Sequence, residues 1–179
     1  MRPCGAADPA GRVDPALLAR LHLGTALEAF AGIFPPEAPP PTLAALTADW
    51  ADRLAAPTPH RVFVAEQDGD VVGVAAAGPD PDDGATGHLS RLYVTPTRWG
   101  NGIGGALHDR AVAHLRAHGF PEATLWVLEA NHRSRAWYER RGWTPTPARK
   151  PTYAPGNVFD VAYRLPLIGD RPIRPEARR

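Results

Sequence analysis

Twenty-one prolines, unevenly placed, mark the boundaries of this chain before any hydrophobic pattern is read. Each ring fixes φ and disfavours helix in the residue before it, so a proline cluster acts as a connector rather than an element. Asp14-Pro15 reads as an N-cap followed by proline at the first helical position. The helix it opens carries Leu17, Leu18, Leu21, Leu27 and Phe30 and must end before Pro35. The stretch Pro35 to Pro41 is a stiff extended connector. A second helix is predicted from Thr42 to Ala55, with Leu43, Leu46, Trp50 and Leu54 at i, i+3, i+7 and i+11.

The period then changes. Arg61 to Glu66 and Val71 to Ala76 read as strands joined through Asp68-Gly69, a pair suited to a turn that needs positive φ. An acidic loop from Gly78 to Gly87 leads to a strand, His88 to Val94, which stops at Thr95-Pro96. A glycine-rich turn follows, then a helix with Ile103, Leu107, Ala111 and Leu115 on one face, stopped by Gly119. Ala123 to Leu128 reads as a strand, Asn131 to Arg141 as a short helix closed by Gly142, and Asn157 to Leu165 as the last strand. The order describes one mixed α/β layer structure, antiparallel at first and with a parallel-type crossover in the middle. Residues 1–12 are expected to form a flexible leader or short edge strand, 13–166 the domain, and 167–179 a frayed tail.

Composition removes several functions. Apolar residues make up 44% of the 179 and charged residues 22%, enough for a core and against wholesale disorder. The 20 Lys plus Arg against 19 Asp plus Glu leave +1, so no large basic field recruits nucleic acid. No apolar run approaches the roughly 18 residues of a membrane span and no signal-peptide pattern is present, so a soluble, cytoplasmic protein is expected. Cys4, the single cysteine, excludes an internal disulfide and a thiolate metal cluster. His114 and His118 stand four apart on one helix, but with no adjacent glutamate and no third ligand; no metal is expected. Ser90 and Ser134 lack the Gly-x-Ser-x-Gly elbow of a hydrolase nucleophile.

The chemistry concentrates in Arg98-Trp-Gly-Asn-Gly-Ile-Gly-Gly-Ala-Leu107. A strand ends just upstream, glycines occupy positions 100, 102, 104 and 105, and a helix begins at the last of them. Glycines leave amide groups uncovered, and the helix start adds unpaired N–H groups and a positive dipole end. Together they make an anion site suited to a diphosphate. Gly100-x-Gly102-x-x-Gly105 also matches a dinucleotide fingerprint, with Glu129 ending the next strand. Against that oxidoreductase reading, Thr95 to Trp99 separates strand from first glycine, and only 179 − 129 = 50 residues remain for the rest of a doubly wound sheet.

The run Leu92-Tyr-Val-Thr-Pro-Thr-Arg-Trp-Gly-Asn-Gly-Ile-Gly-Gly-Ala-Leu107 resembles the acetyl-CoA-binding signature of the GNAT superfamily of N-acetyltransferases. Leu125-Trp-Val-Leu-Glu-Ala-Asn-His-Arg-Ser-Arg-Ala-Trp-Tyr-Glu-Arg-Arg-Gly-Trp143 resembles its second signature. The resemblance implies a mostly antiparallel central sheet with splayed middle strands and helices on both faces. It implies that Arg98, Trp99, Gly100, Asn101, Gly102, Ile103, Gly104 and Gly105 surround the pyrophosphate of coenzyme A, and that Leu92, Tyr93 and Val94 pair with its pantetheine arm. Asn131 and Ser134 would line that arm, and Tyr138 would meet the thioester sulfur. Trp99 departs from the family pattern, which usually begins with Gln or Arg there. Asn131, Ser134 and Tyr138 stand at i, i+3 and i+7, on one helix face; Asn131 also suits an N-cap.

The implied reaction is direct attack of a primary amine on acetyl-CoA, as cosubstrate, without a metal. A strand N–H near Tyr93 or Val94 would stabilise the oxyanion, Tyr138 would act as acid and Glu129 as base, with His88 and Ser90 as alternatives. The acceptor, a small-molecule or peptide amine, would be walled by Leu23 to Trp50 and the loop Pro79 to Gly87, which offer Phe30, Phe34 and Trp50 beside Glu28, Glu37, Asp49 and Asp82. A non-catalytic acyl-CoA-binding sensor is the alternative from another class. Dimers are common among proteins of this kind, so a homodimer is among the expected partners.

Overall fold

The computed structural model describes residues 13–152 and 157–168. Cys4, with the leader or edge strand expected over residues 1–12, lies outside the described residues, as does the tail beyond Ile168. Helices α1 (Pro15–Ala29) and α2 (Leu43–Ala55) come first, then strands β1 (Arg61–Gln67), β2 (Asp70–Pro79) and β3 (Gly87–Val94). A 3-10 turn (Pro96–Arg98) precedes α3 (Ile103–Ala117), β4 (Glu122–Leu128), α4 (His132–Glu139), β5 (Thr144–Pro151) and β6 (Phe159–Pro166).

Local chemistry sets the boundaries. Asp14 caps α1 by accepting the Ala16 N–H at 2.9 Å, and Thr42 caps α2 by accepting that of Ala45 at 3.2 Å. Asp68 and Gly69 turn the first hairpin with φ of 57° and 88°, the double positive φ of a type I′ turn.

The six strands form one sheet in the order β1-β2-β3-β4-β6-β5, antiparallel except between β3 and β4. Helices α1 and α2 bury Leu18, Leu46 and Trp50 against Val62, Val64, Val74 and Ala76 on one face. On the other face α3 buries Ile103, Leu107, Ala111 and Leu115 with Leu125, Trp143 and Tyr163. The expected mostly antiparallel, double-faced sheet is therefore present. No described helix is long and apolar enough to cross a membrane.

Three sequence expectations need correction. The expected order has no element between Gly142 and Asn157, where Thr144–Pro151 forms strand β5; its prolines at 145, 147 and 151 sit on a sheet edge, where a missing N–H takes no bond from the ladder. Helix α3 begins at Ile103 rather than Gly105, so Gly104 and Gly105 belong to its first turn. On α1 the buried positions are Leu18, Ala19, His22 and Thr25, while Leu27 is 57% exposed. Beyond β6 the chain stays attached: the Leu167 N–H donates to the Pro121 carbonyl at 2.8 Å, and its own carbonyl accepts from Arg116 Nε at 2.8 Å.

Candidate active site

The site begins with a failure of pairing. Strands β3 and β4 meet only at Gly87↔Ala123 and His88↔Thr124, then separate. The Thr95 N–H donates to the Val72 carbonyl at 2.9 Å, on the β2 side. Ladder alternation then turns the polar backbone groups of Tyr93 toward β2 and those of Leu92 and Val94 into the gap. The Val94 carbonyl is already taken, by the Trp99 indole N–H at 2.7 Å and more weakly by the Thr25 hydroxyl at 3.4 Å. The Leu92 amide and carbonyl and the Val94 amide thus face an open gap between two strands, a template for an extended amide-bearing chain.

At the mouth of the gap stands the glycine bend. Gly100 and Gly102 have φ of +82° and +80° and open space where a Cβ would be, so their backbone lies bare. The first intrahelical donor of α3 is the Ala106 N–H, to Gly102, which leaves the amides of Ile103, Gly104 and Gly105 ahead of it without a helical acceptor. No side chain caps this end and no acidic residue occupies its first turn. Ile103 is buried and anchors the turn to the core, while Asn101 is exposed. Guanidinium groups surround the bend: Arg98 (3.7 Å from Asp68), Arg133 stacked 4.4 Å over Trp99, and Arg141 stacked 3.8 Å over Trp137. Arg141 reaches so close to Gly105 that a Cβ there would lie 2.6 Å from its Nη2. Bare amides, a helix start and three cations fit a phosphate-bearing ligand.

Helix α4 closes the other side. Asn131 is buried and its Oδ1 accepts the Ser134 N–H at 3.1 Å, so it caps α4 as its residue type allows. Ser134, one turn on, is half-buried. The Tyr138 ring packs edge-on to Trp137 and Trp143, with centroids 5.1 Å and 6.0 Å away. Burial, with Tyr93 nearby, pushes its phenol well above the ordinary tyrosine value of 10, so the hydroxyl keeps its proton.

The proposed bases are committed elsewhere. Glu129 takes a bidentate grip from Arg149, at 2.7 Å and 3.1 Å for the shortest contact to each oxygen, and that hydrogen bonding holds its carboxyl below the ordinary range. It sits just past the end of β4, and its partner Arg149 pairs with Val161 on the α3 side of the sheet, away from the face of Trp126 and Leu128. The Thr124 hydroxyl donates to Asp80 at 2.6 Å, so His88 Nδ1, 2.8 Å from that hydroxyl, is its donor; this network sits at the closed end of the gap. Burial lowers the His88 pKa below its usual range. The Ser90 hydroxyl donates to the Ala76 carbonyl and accepts from Arg53 Nη1. A cavity of about 490 Å³, lined by Arg53, His60, Asp80, His88 and Arg91, opens at this closed end, away from the glycine bend.

One group carried no motif. His22 of α1 stacks on Tyr93 with centroids 4.0 Å apart and lies edge-on to Trp50 at 6.1 Å. Its Nδ1 is buried without a partner among the described residues, and burial, aided by Arg91, lowers its pKa to about 4. A histidine four residues after Leu18 on a buried helix face was the available signal. His114 and His118 bind carbonyl oxygens, of Pro59 and His114 respectively, and no cluster of metal ligands exists among the described residues.

Residues 25–143 match the model of the acetyltransferase (GNAT) family, about two thirds of the chain. The chain belongs to this family. Over 87 residues it is 40% identical to a mycothiol acetyltransferase of Beutenbergia cavernae, covering 49% of this chain but only 29% of that protein. Its fold is similar to that of a GNAT-family protein from Desulfovibrio desulfuricans, with a TM-score of 0.71, 22% identity, and coverage of 92% of this chain and 99% of the other. A phosphinothricin acetyltransferase from Sinorhizobium meliloti, solved in complex with AcCoA, is likewise similar, with a TM-score of 0.68, 19% identity, and coverage of 92% and 89%.

Proposed function

We propose that this GNAT protein is an N-acetyltransferase that takes its acetyl group from acetyl-CoA and passes it to an amine of a small molecule or peptide. The observation that carries the reading is the coincidence, at one end of the sheet, of the unpaired β3–β4 gap with the bare amides at the α3 start. Acetyl-CoA would supply an acyl carbon held as a thioester and therefore open to attack by nitrogen. Every other contribution comes from the chain.

The amides of Gly100 to Gly105 and the guanidiniums of Arg98, Arg133 and Arg141 hold the diphosphate. The Leu92 amide and carbonyl orient the pantetheine arm, with Asn131 and Ser134 along it. The Val94 amide, turned into the gap, supplies a donor where negative charge develops on the acyl oxygen. Tyr138 Oη, kept protonated by burial, gives its proton to the departing sulfur. Glu129 is left out of the base role because Arg149 occupies both its oxygens.

Calorimetry with acetyl-CoA and a free-thiol assay across an amine panel test the reading. Micromolar binding together with thiol release that depends on the amine supports it. Binding without turnover assigns the chain to acyl-CoA sensing instead, and absence of binding at millimolar ligand removes the proposal. Amines related to mycothiol belong in the panel, since the Beutenbergia relative is named a mycothiol acetyltransferase.

A further inference from the structure

Strand β6 carries a carboxylate that none of the interactions above employs. Asp160 stands directly opposite Leu128 of β4 and Lys150 of β5. Directly opposed residues share a sheet face, so Asp160 lies with Leu128 and Trp126. Val161 and Tyr163, its neighbours in alternation, pack into the α3 core, which puts Asp160 on the opposite face, the one that α1 and α2 cover over β1 to β3. Counting up both strands from His88 and Thr124, Leu128 stands level with Leu92, and Asp160 is one strand further on. The bulge between Ala76 and Ala77 shifts that level by a single residue, to Tyr93.

We propose that Asp160 receives the proton from the acceptor amine, a role that rests on the acetyltransferase reading above. Its carboxylate is half-buried and, among the described residues, has neither hydrogen bond nor ion pair. Lys150, the cation opposite it, places its Nζ over the Trp126 ring at 4.1 Å instead. Burial raises the Asp160 carboxyl above the ordinary range and Lys150 draws it partly back. The remaining β4 positions on that face, Thr124, Trp126 and Leu128, do not titrate, and Arg164 is the next ionisable position of β6 there. Glu129, His88 and Ser90 are all engaged by other groups, whereas Asp160 stands on the face that α1 and α2 cover, one strand from the gap and with no partner among the described residues.

The proton count closes. An incoming ammonium gives up two protons on its way to the amide. One passes to Asp160 Oδ and on to solvent, and the nitrogen lone pair so freed forms the N–C bond as the C–S bond breaks. The other replaces the proton that Tyr138 Oη yields to sulfur.

The test uses the full chain, acetyl-CoA and the panel amine that turns over best. Asp160→Asn is expected to lower turnover about 10²-fold or more, to erase the acidic limb of the pH profile, and to leave acetyl-CoA affinity unchanged. The limb should rise as Asp160 ionises, above the ordinary aspartate range. Asp160→Glu, which keeps the base on a longer arm, should restore part of the rate and the limb. Turnover within about threefold of wild type in Asp160→Asn, with the limb intact, overturns the role. So does a rate loss in both variants that comes with lost acetyl-CoA binding, which would mark Asp160 as structural. A wild-type chain that acetylates no amine removes the enzymatic reading and this role together, an outcome distinct from the first.

Discussion

The indole N–H of Trp99 is bonded to the carbonyl oxygen of Val94 at 2.7 Å, and the guanidinium of Arg133 lies 4.4 Å over the same ring. Trp99 therefore ties the end of β3 to the first turn of α4, on either side of the gap. A glutamine or arginine at this position would offer a polar head to a phosphate. The tryptophan instead caps a strand carbonyl, so in the proposed binding mode phosphate contact would fall to backbone amides and arginines.

Trp99→Phe keeps a ring for Arg133 but removes the donor. The Val94 carbonyl then retains only the long contact from Thr25. Losing one such bond costs about 1 kcal/mol, which for a domain of this size lowers Tm by about 2–4 °C. Acetyl-CoA affinity should fall as well, because the freed carbonyl competes for the ligand's donors and the bend loses its tether. Thermal melts and calorimetry on the same preparation check both outcomes, and a variant with unchanged Tm removes the tether.

Two glycines of the bend should respond oppositely to alanine. Gly102 has open space around it but a φ of +80°, where an L side chain costs about 1–2 kcal/mol. Gly105 sits inside α3 with its Cβ position facing the far end of the Arg141 side chain, a flexible group that can move. Alanine there gains about 1 kcal/mol of helix propensity. Urea denaturation should show Gly102→Ala destabilised and Gly105→Ala neutral or stabilised. Acetyl-CoA binding should weaken in both, through strain in the first and displacement of Arg141 in the second.

Much of this layout was readable from local chemistry. Asp14-Pro15, Thr42, Asp68-Gly69 and the glycines of the bend each act through their own backbone, so the caps, the hairpin and the cradle appear where the residue types require them. Strand β5 was unreadable because its prolines argue against a ladder, and only its place at the sheet edge reconciles the two. The partners of Glu129 were equally hidden, since Arg149 reaches it from a strand twenty positions later. His22 and Asp160 gain their character from burial and from neighbours distant in sequence, which no local spacing encodes.

Replacing Tyr138 with phenylalanine removes the proton donor and little else, since the ring contacts to Trp137 and Trp143 are retained. Turnover should fall about 10²-fold or more with acetyl-CoA affinity nearly unchanged. The phenol must be protonated to act, and burial holds its pKa above the usual 10. Wild-type activity should therefore show no alkaline loss attributable to this group up to about pH 10, the ordinary tyrosine value. Steady-state kinetics over pH 6 to 10 decide the matter, and an unchanged turnover number in Tyr138→Phe removes it from the role.

His22 makes the fold sensitive to acid. Its pKa falls from 6.5 to about 4 on folding, so the unfolded chain binds the proton more readily. The stabilising effect of the neutral ring is complete above 6.5 and is lost as pH drops from there toward 4, because protonation favours the unfolded state throughout that window. Between pH 7 and pH 5 the loss from this one group amounts to about 2 kcal/mol. His88, His108 and His114 are lowered by burial as well and act in the same direction. In His22→Phe, which preserves the stack on Tyr93 and the edge contact with Trp50, the remaining histidines still titrate. Chemical denaturation at the two pH values should show the variant losing about 2 kcal/mol less than wild type. An equal loss in both would mean that the ring at position 22 takes up its proton without opening the packing between α1 and β3.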